Sequence, residues 1–440
     1  MVRLMSLFPN EERRKILAID SKSFYASVEA ISVNLNPLTA VLVVMSTAEN
    51  AGRGLILAAS PMAKKLFGLS NVSRAYEVPI HDPRLIIRQP RMNYYIRVNK
   101  QVNDIFRNFV ADEDLHIYSI DESFLDVTDS WEYLRAQYGS DLTLKRLGRI
   151  IQRELREKIG LYLSVGIGDS LAMAKLALDL EAKSAPDLLG EWHFEDLAEK
   201  LWPQTKLDDV WSIGRRTAKR LYRLGIMSMG DLAMVDPAVL YKEFGVRGHE
   251  LFALAWGIDR SRITDKHHAK EHSLSNGQVL PRNYQTAAEI SNVIREMAEQ
   301  IASRLRAEKL VAGQVSLSIS FSRNTTGGLN GRSNIIPTNR TVAIVDALEE
   351  IFQQKYQGES VRNIYVGASK TGPAGMEQGD LFVSYDEDMK QQKLDQTVDR
   401  IRKKYGITSI VKSASLTQGG TMIGRAGLVG GHRGGNAYGS

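Results

Sequence analysis

Three carboxylates stand where strands end. Asp20 closes the apolar run KILAID, and Asp121-Glu122 occupy the pinch of IYSIDESFLDVT (117–128), between two short strand-like stretches. Acidic residues make good turns, so an isolated Asp-Glu pair needs no further explanation. Taken together the three need one, because neighbouring strands of one sheet can bring Asp20 and the hairpin pair to a point. Such a cluster repels itself and loses hydration unless a cation sits in it. Hard oxygen ligands without His or Cys favour Mg²⁺ or Mn²⁺. Two such ions about 3.5–4 Å apart activate an attacking hydroxyl and stabilise a leaving pyrophosphate, which is phosphoryl-transfer chemistry.

The chain that must position them has 440 residues, too many for one ordinary core, and its 43% hydrophobic and 25% charged residues are those of a globular protein. It has no cysteine, which excludes a disulfide framework, a thiolate zinc site, an iron–sulfur cluster and a cysteine nucleophile. With no long apolar run and no signal-like stretch before Lys15, a cytoplasmic protein without membrane spans is expected. A formal charge of +6 favours a polyanionic partner.

Periodicity divides the chain. The run up to Asp20 reads as a strand, followed by a helical pattern through Phe24, Tyr25, Val28 and Ile31. LTAVLVVM leads to LILAASPMAKKLFG, a strand entering a basic helix that stops at Gly68. MNYYIRVNKQVNDIFRNF and KRLGRIIQRELREKIG read as helices on either side of the acidic hairpin, and LYLSVGIG as the next strand. From Glu191 to Arg262 the pattern is wholly helical. RSRITDKHHAKEHSLSN has no periodicity and reads as a linker. Beyond it come the helix AAEISNVIREMAEQIASRLRAEK, the alternating strand QVSLSISFS, a helix from about Val342 and the strand SVRNIYVGAS. One more helix, EDMKQQKLDQTVDRIRKKYG, precedes a Gly-rich end from Gly419, read as flexible.

IDSKSFYASVE (19–29), YSIDESFLDVT (118–128) and SVGIGDSLAMAKLALDLEAK (164–183) resemble, in order and spacing, the signature motifs of Y-family, lesion-bypass DNA polymerases, closest to the UmuC-like bacterial branch. The resemblance covers roughly residues 15–370. It implies an α+β multidomain right hand: a ferredoxin-like palm (1–30 and 78–188), small fingers (31–77), a helical thumb with a helix-hairpin-helix (189–262), a linker (263–274), a βαββαβ-like little finger (275–370) and a C-terminal tail (371–440). Carried over residue by residue, it makes Asp20, Asp121 and Glu122, with the Ser21 carbonyl, the ligands of two Mg²⁺ ions, which Mn²⁺ can replace. Tyr25 is then the steric gate against a ribose 2′-hydroxyl, with Phe24 beside it in the dNTP site. Lys65, of the adjacent pair Lys64-Lys65, and Lys183 then meet the triphosphate. Met62 and Lys22 depart from the related DinB-like pattern.

The same resemblance assigns DNA contacts. SIGRRTAKRLYRLGI (212–226) has the Gly214 to Gly225 frame of a helix-hairpin-helix, with Arg215 at its turn. The segment from Gly313 to Arg340 holds no acid and carries Arg323, Arg332 and Arg340. Gln378, Leu381 and Phe382 in QGDLFVSYD resemble a sliding-clamp peptide. The implied function is template-directed, low-fidelity translesion synthesis in SOS damage tolerance. Its implied partners are primer-template DNA, dNTP, a sliding clamp, and an accessory subunit or recombinase filament. Two rivals remain: a palm-type nucleotidyl cyclase, which has no reason to carry the basic domains, and an inactive DNA-binding scaffold at stalled forks.

Overall fold

The computed structural model describes residues 11–46, 55–70, 73–265, 272–322, 327–375, 385–430 and 432–434. β1 (Ile16–Ser21) is the apolar run that ends in the acid, and α1 (Phe24–Ile31) follows at once. Next come β2 (Leu42–Ser46), β3 (Leu55–Ala59), α2 (Pro61–Phe67) and β4 (Ile86–Arg88). The helix α3 (Met92–Phe106), the hairpin β5 (Leu115–Ile117) and β6 (Glu122–Asp126), and the helix α4 (Leu144–Lys158) lead to β7 (Leu163–Gly168). α5 (Leu171–Ala177) and β8 (Leu189–Trp192) close this half.

The main sheet has the order β5-β6-β1-β7-β8, with β1 antiparallel to both β6 and β7. Its first four strands follow the ferredoxin-like order. β1 is apolar throughout because both its faces are covered. Leu17 and Ile19 pack with Leu147, Ile151 and Leu155 of α4, while Ile16 and Ala18 pack with Ala174 and Leu178 on the α5 side. The acids Asp20 and Glu122 share the parity, and so the face, of Ile16, Ala18 and Phe124.

Two strands lie outside the boundaries expected from sequence. β8 joins β7 in parallel although the thumb was expected from 189, and β4 joins β2 in parallel beyond the expected end of the fingers at 77. Each is too short to show a period of its own.

The helices α6 (Arg215–Arg223), α7 (Met229–Met234), α8 (Pro237–Phe244) and α9 (Val246–Ala255) gather around Leu221, Leu232, Leu240 and Leu251. The last sheet is built from β9 (Leu274–Tyr284), α10 (Ala287–Ala307), β10 (Leu310–Phe321), β11 (Gly328–Thr338), α11 (Thr341–Lys355) and β12 (Val361–Pro373). Its strand order is β11-β10-β12-β9. The helices cover the face formed by Val315, Leu317, Ile319, Ile364 and Val366. None of its four strands contains Asp or Glu.

The tail departs from expectation. After α12 (Tyr385–Tyr405), residues 419–425 do not run free but pack against α10 and β9. The Tyr284 hydroxyl donates to Gly419 O at 3.2 Å, and Thr421 N donates to Glu296 at 2.9 Å. Glycine content gave no hint of these partners, since they are polar groups far away in sequence.

Candidate active site

The register of the main sheet makes Asp20 and Glu122 direct cross-strand partners. Asp121 is held beside them by two contacts. Its carbonyl accepts the Ser21 N–H at 2.8 Å, and its Oδ1 accepts the Ser119 hydroxyl at 2.7 Å. The turn is tight because Tyr118 N and Ser119 N both donate to Glu122 O at 3.0 Å. The structure thus brings Asp20 to the adjacent pair Asp121-Glu122, far from it in sequence.

Lysines surround them. Lys183 Nζ lies 3.3 Å from Asp20 and 2.8 Å from Asp179; Lys175 Nζ lies 2.6 Å from Glu122 and 3.2 Å from Asp179. Lys22 Nζ donates to the Lys183 carbonyl at 3.0 Å. Burial pushes the Asp20 carboxyl up to about 6, with Lys183 opposing and the charges of Asp121 and Glu122 adding to the rise. Burial by itself would lower the Lys183 ammonium, but Asp20 and Asp179 outweigh it and hold it above its ordinary range. Lys175, Asp179 and Lys22 were not singled out as site residues by sequence reasoning. The i, i+4 spacing of AKLALDLEAK was the available signal, and it says that the side chains neighbour each other but not what they face.

The donor set fits a hard divalent cation. Among the described residues no three acidic or imidazole side chains form a ready cage, because Glu122 is drawn to Lys175. Glu122 Oε1 is nonetheless buried without hydrogen-bond geometry to any partner, and so is Ser164 Oγ, which flanks Asp20 across the β1–β7 pair. A buried hydroxyl without a hydrogen bond, a buried carboxylate oxygen held only by an ion pair and a carboxyl raised chiefly by burial make a place where a cation is favoured.

The sugar side is built from aromatics. Tyr25, half-buried, stacks on Tyr95 with ring centroids 4.5 Å apart. Tyr95 in turn donates its hydroxyl to Glu29 at 2.9 Å, and Arg91 grips the same carboxylate at 2.9 and 2.8 Å. After burial, the charge of Asp121 is the next cause that raises the Tyr25 phenol, which puts that ring beside the acids. Phe24, expected beside Tyr25 in the dNTP site, is 3% exposed, and its ring packs in the core. Lys65, expected at the triphosphate, is exposed, whereas its neighbour Lys64 is lowered by burial and then feels the charges of Lys22, Asp20 and Lys183, so of the adjacent pair Lys64 lies nearer the acids. A helix turns by about 100° per residue, so only one of two neighbours can do so.

Gly214 caps the N-terminus of α6, and Gly225 follows its end with φ +80°. A Cβ at Gly214 would meet nothing within 4 Å, so the first N–H groups of α6 stand open beside exposed Arg215. Arg332 is exposed and pairs with Ser316, on the face of the last sheet away from its helices. Arg340 does not belong to that face. It is 8% exposed at the start of α11, because the strand has ended and the chain has turned inward. Arg323, Gln378, Leu381 and Phe382 lie outside the described residues.

Comparison with known proteins is consistent with this geometry. Residues 19–179 match the impB/mucB/samB family model, 271–381 its C-terminal domain and 195–226 the helix-hairpin-helix motif of the same family. The chain is 38% identical to the Bacillus subtilis (strain 168) protein named "Putative UV-damage repair protein UvrX", over 97% of this chain and 99% of that one. It is 32% identical to DNA polymerase IV 2 of the same organism, over 96% and 99%. Among solved structures, a Y-family DNA polymerase chimera, Dbh-Dpo4(243-245)-Dbh, superposes with a TM-score of 0.64 at 21% identity, covering 81% of this chain and 98% of the chimera.

Proposed function

The chain belongs to the impB/mucB/samB family of Y-family DNA polymerases, and from that premise we propose that it copies damaged templates by nucleotidyl transfer at Asp20, Asp121 and Glu122. The single observation that carries the reading is the cross-strand pairing of Asp20 with Glu122, with Asp121 tied to Ser21 between them. Asp20 and Asp121, with Glu122 and the Ser21 carbonyl, would hold Mg²⁺ or Mn²⁺. When bound, the ions would lower the pKa of the primer 3′-hydroxyl and neutralise charge on the leaving pyrophosphate.

The protein's own groups do the positioning. Lys183, beside Asp20, and Lys64, whose ammonium feels the charges of Asp20 and Lys183, supply positive charge for a triphosphate. Tyr25, braced by Tyr95, blocks a 2′-hydroxyl and so selects deoxynucleotides. The open turn of α6 and the acid-free sheet with Arg332 grip primer-template backbone. Among the described residues the small β3-β2-β4 unit carries no long closing helix to test a nascent base pair, which favours low fidelity. The QGDLFVSYD peptide is assigned to a sliding clamp on sequence alone.

The test is primer extension on undamaged and abasic templates with Mg²⁺ and dNTPs, comparing the natural chain with Asp121→Ala/Glu122→Ala. Extension by the natural chain alone, past the abasic site and with frequent misinsertion, is the expected result. Intact DNA binding without extension by either chain would favour the scaffold reading.

A further inference from the structure

Behind the carboxylates runs a ring of five charged side chains whose sign alternates except where the two acids Asp20 and Glu122 stand opposite each other across the β1–β6 pair. Glu122 meets Lys175 at 2.6 Å, Lys175 meets Asp179 at 3.2 Å, Asp179 meets Lys183 at 2.8 Å and Lys183 meets Asp20 at 3.3 Å. The cross-strand pairing of Asp20 and Glu122 closes it. Lys175 is 5% exposed, so it is not an ordinary solvated lysine; an ammonium persists at that depth only when paired. Asp179 lies inside a single π-helical turn, Leu178–Ala182, closed by Lys183 N donating to Leu178 O at 3.1 Å. Such turns are rare and gather at functional positions.

The two members of the ring that are not proposed ligands or triphosphate contacts pull in opposite directions. Asp179 competes with the acids for both ammonium groups, holding Lys183 closer than Asp20 does and sharing Lys175 with Glu122. Lys175 draws Glu122 away from the point it would share with Asp20, and its contact with Glu122 Oε1 is an ion pair without hydrogen-bond geometry. We propose that Asp179 and Lys175 are opposed positioning residues that set cation affinity at the carboxylates: Asp179 strengthens it by drawing the lysines off, and Lys175 weakens it by occupying Glu122. The site then stays poorly charged with metal until a triphosphate adds its own oxygens. This rests on the metal site proposed above.

The test is Mn²⁺ titration of the full chain without DNA or nucleotide, read as free Mn²⁺ by electron paramagnetic resonance, with melting temperatures measured alongside. Asp179→Asn should weaken Mn²⁺ binding and Lys175→Gln should tighten it, each by about five-fold or more, the lower bound being that of a unit charge roughly 8 Å from a divalent ion at the dielectric of water. The double variant should return to near the natural value, and Lys175→Arg, which keeps the charge, should resemble the natural chain. Shifts of the same sign, no shift, or Lys175→Arg behaving like Lys175→Gln would overturn the proposal while leaving the metal site standing. Absence of Mn²⁺ binding that Asp121→Asn can remove would overturn the metal site and the proposal with it.

Discussion

The two larger sheets use the same succession of elements, strand-helix-strand-strand-helix-strand, and put it to opposite uses. In the first, the opening strand β1 lies between β6 and β7, so an acid at its end meets the hairpin acids from one side and the lysines after β7 from the other. In the second, the opening strand β9 is at the edge and the order is β11-β10-β12-β9. No strand end converges there on a buried point. What remains is a broad polar face without acids, suited to a phosphate backbone but to no chemistry. Strand order, and not the list of elements, separates the proposed reaction centre from the proposed DNA grip.

The sharpest way to break that contrast is to remove charge from each sheet in turn. Asp121→Asn keeps shape and should lower nucleotide incorporation by roughly a thousand-fold while leaving DNA affinity intact. Single-turnover rates with a filter-binding control would check it, and a loss of affinity equal to the loss of rate would erase the distinction between the sheets.

Packing should differ next. A Cβ at Gly166 of β7 would stand 2.2 Å from both Ala174 O and Leu178 N, backbone atoms that cannot move without shifting the segment that carries Lys175 and Lys183. A Cβ at Gly277 of β9 would meet the ring of Tyr365 at 2.4 Å, but that ring is 48% exposed and free to turn. Denaturant unfolding should therefore place Gly166→Ala about 3 kcal/mol below the natural chain, and Gly277→Ala within about 1 kcal/mol. Equal losses would mean that the second sheet is as rigidly packed as the first.

Smaller again, Arg332→Glu should weaken primer-template binding about ten-fold and flatten its salt dependence by the share of roughly one phosphate, with the incorporation rate at saturating DNA unchanged. Titration at several salt concentrations would check both numbers.

The smallest effect lies just past β8 of the main sheet. Burial lowers His193, but the hydrogen bond and charge of Asp169, at 2.9 Å, and the charge of Glu191 outweigh it, so its pKa stands above the ordinary value. A group raised on folding stabilises fully below its unfolded pKa and loses that contribution as pH rises through the folded one. Melting temperatures of His193→Gln should therefore fall a few degrees below the natural chain under about pH 6 and converge with it at alkaline pH.

The sequence by itself determined where the acids would be, because Asp20, Asp121 and Glu122 interrupt apolar runs at strand ends, and burial of those runs leaves the acids no other place. The same alternation of polar and apolar residues made the acid-free face of the second sheet legible. What only the tertiary structure decided is what each helical residue faces. Lys64 rather than Lys65 turns to the acids, Phe24 turns inward while Tyr25 meets Tyr95, and Arg340 is buried at a helix start. Spacing fixes which side chains are neighbours on one helix, but the direction of that helix's face is set by contacts made across the chain. Asp179 and the tail after Gly419 belong with these. Spacing marks Lys175 as a neighbour of Asp179, but Glu122 behind it, and Glu296 on α10, are reached by polar contacts between distant segments, which leave no periodic trace in a sequence.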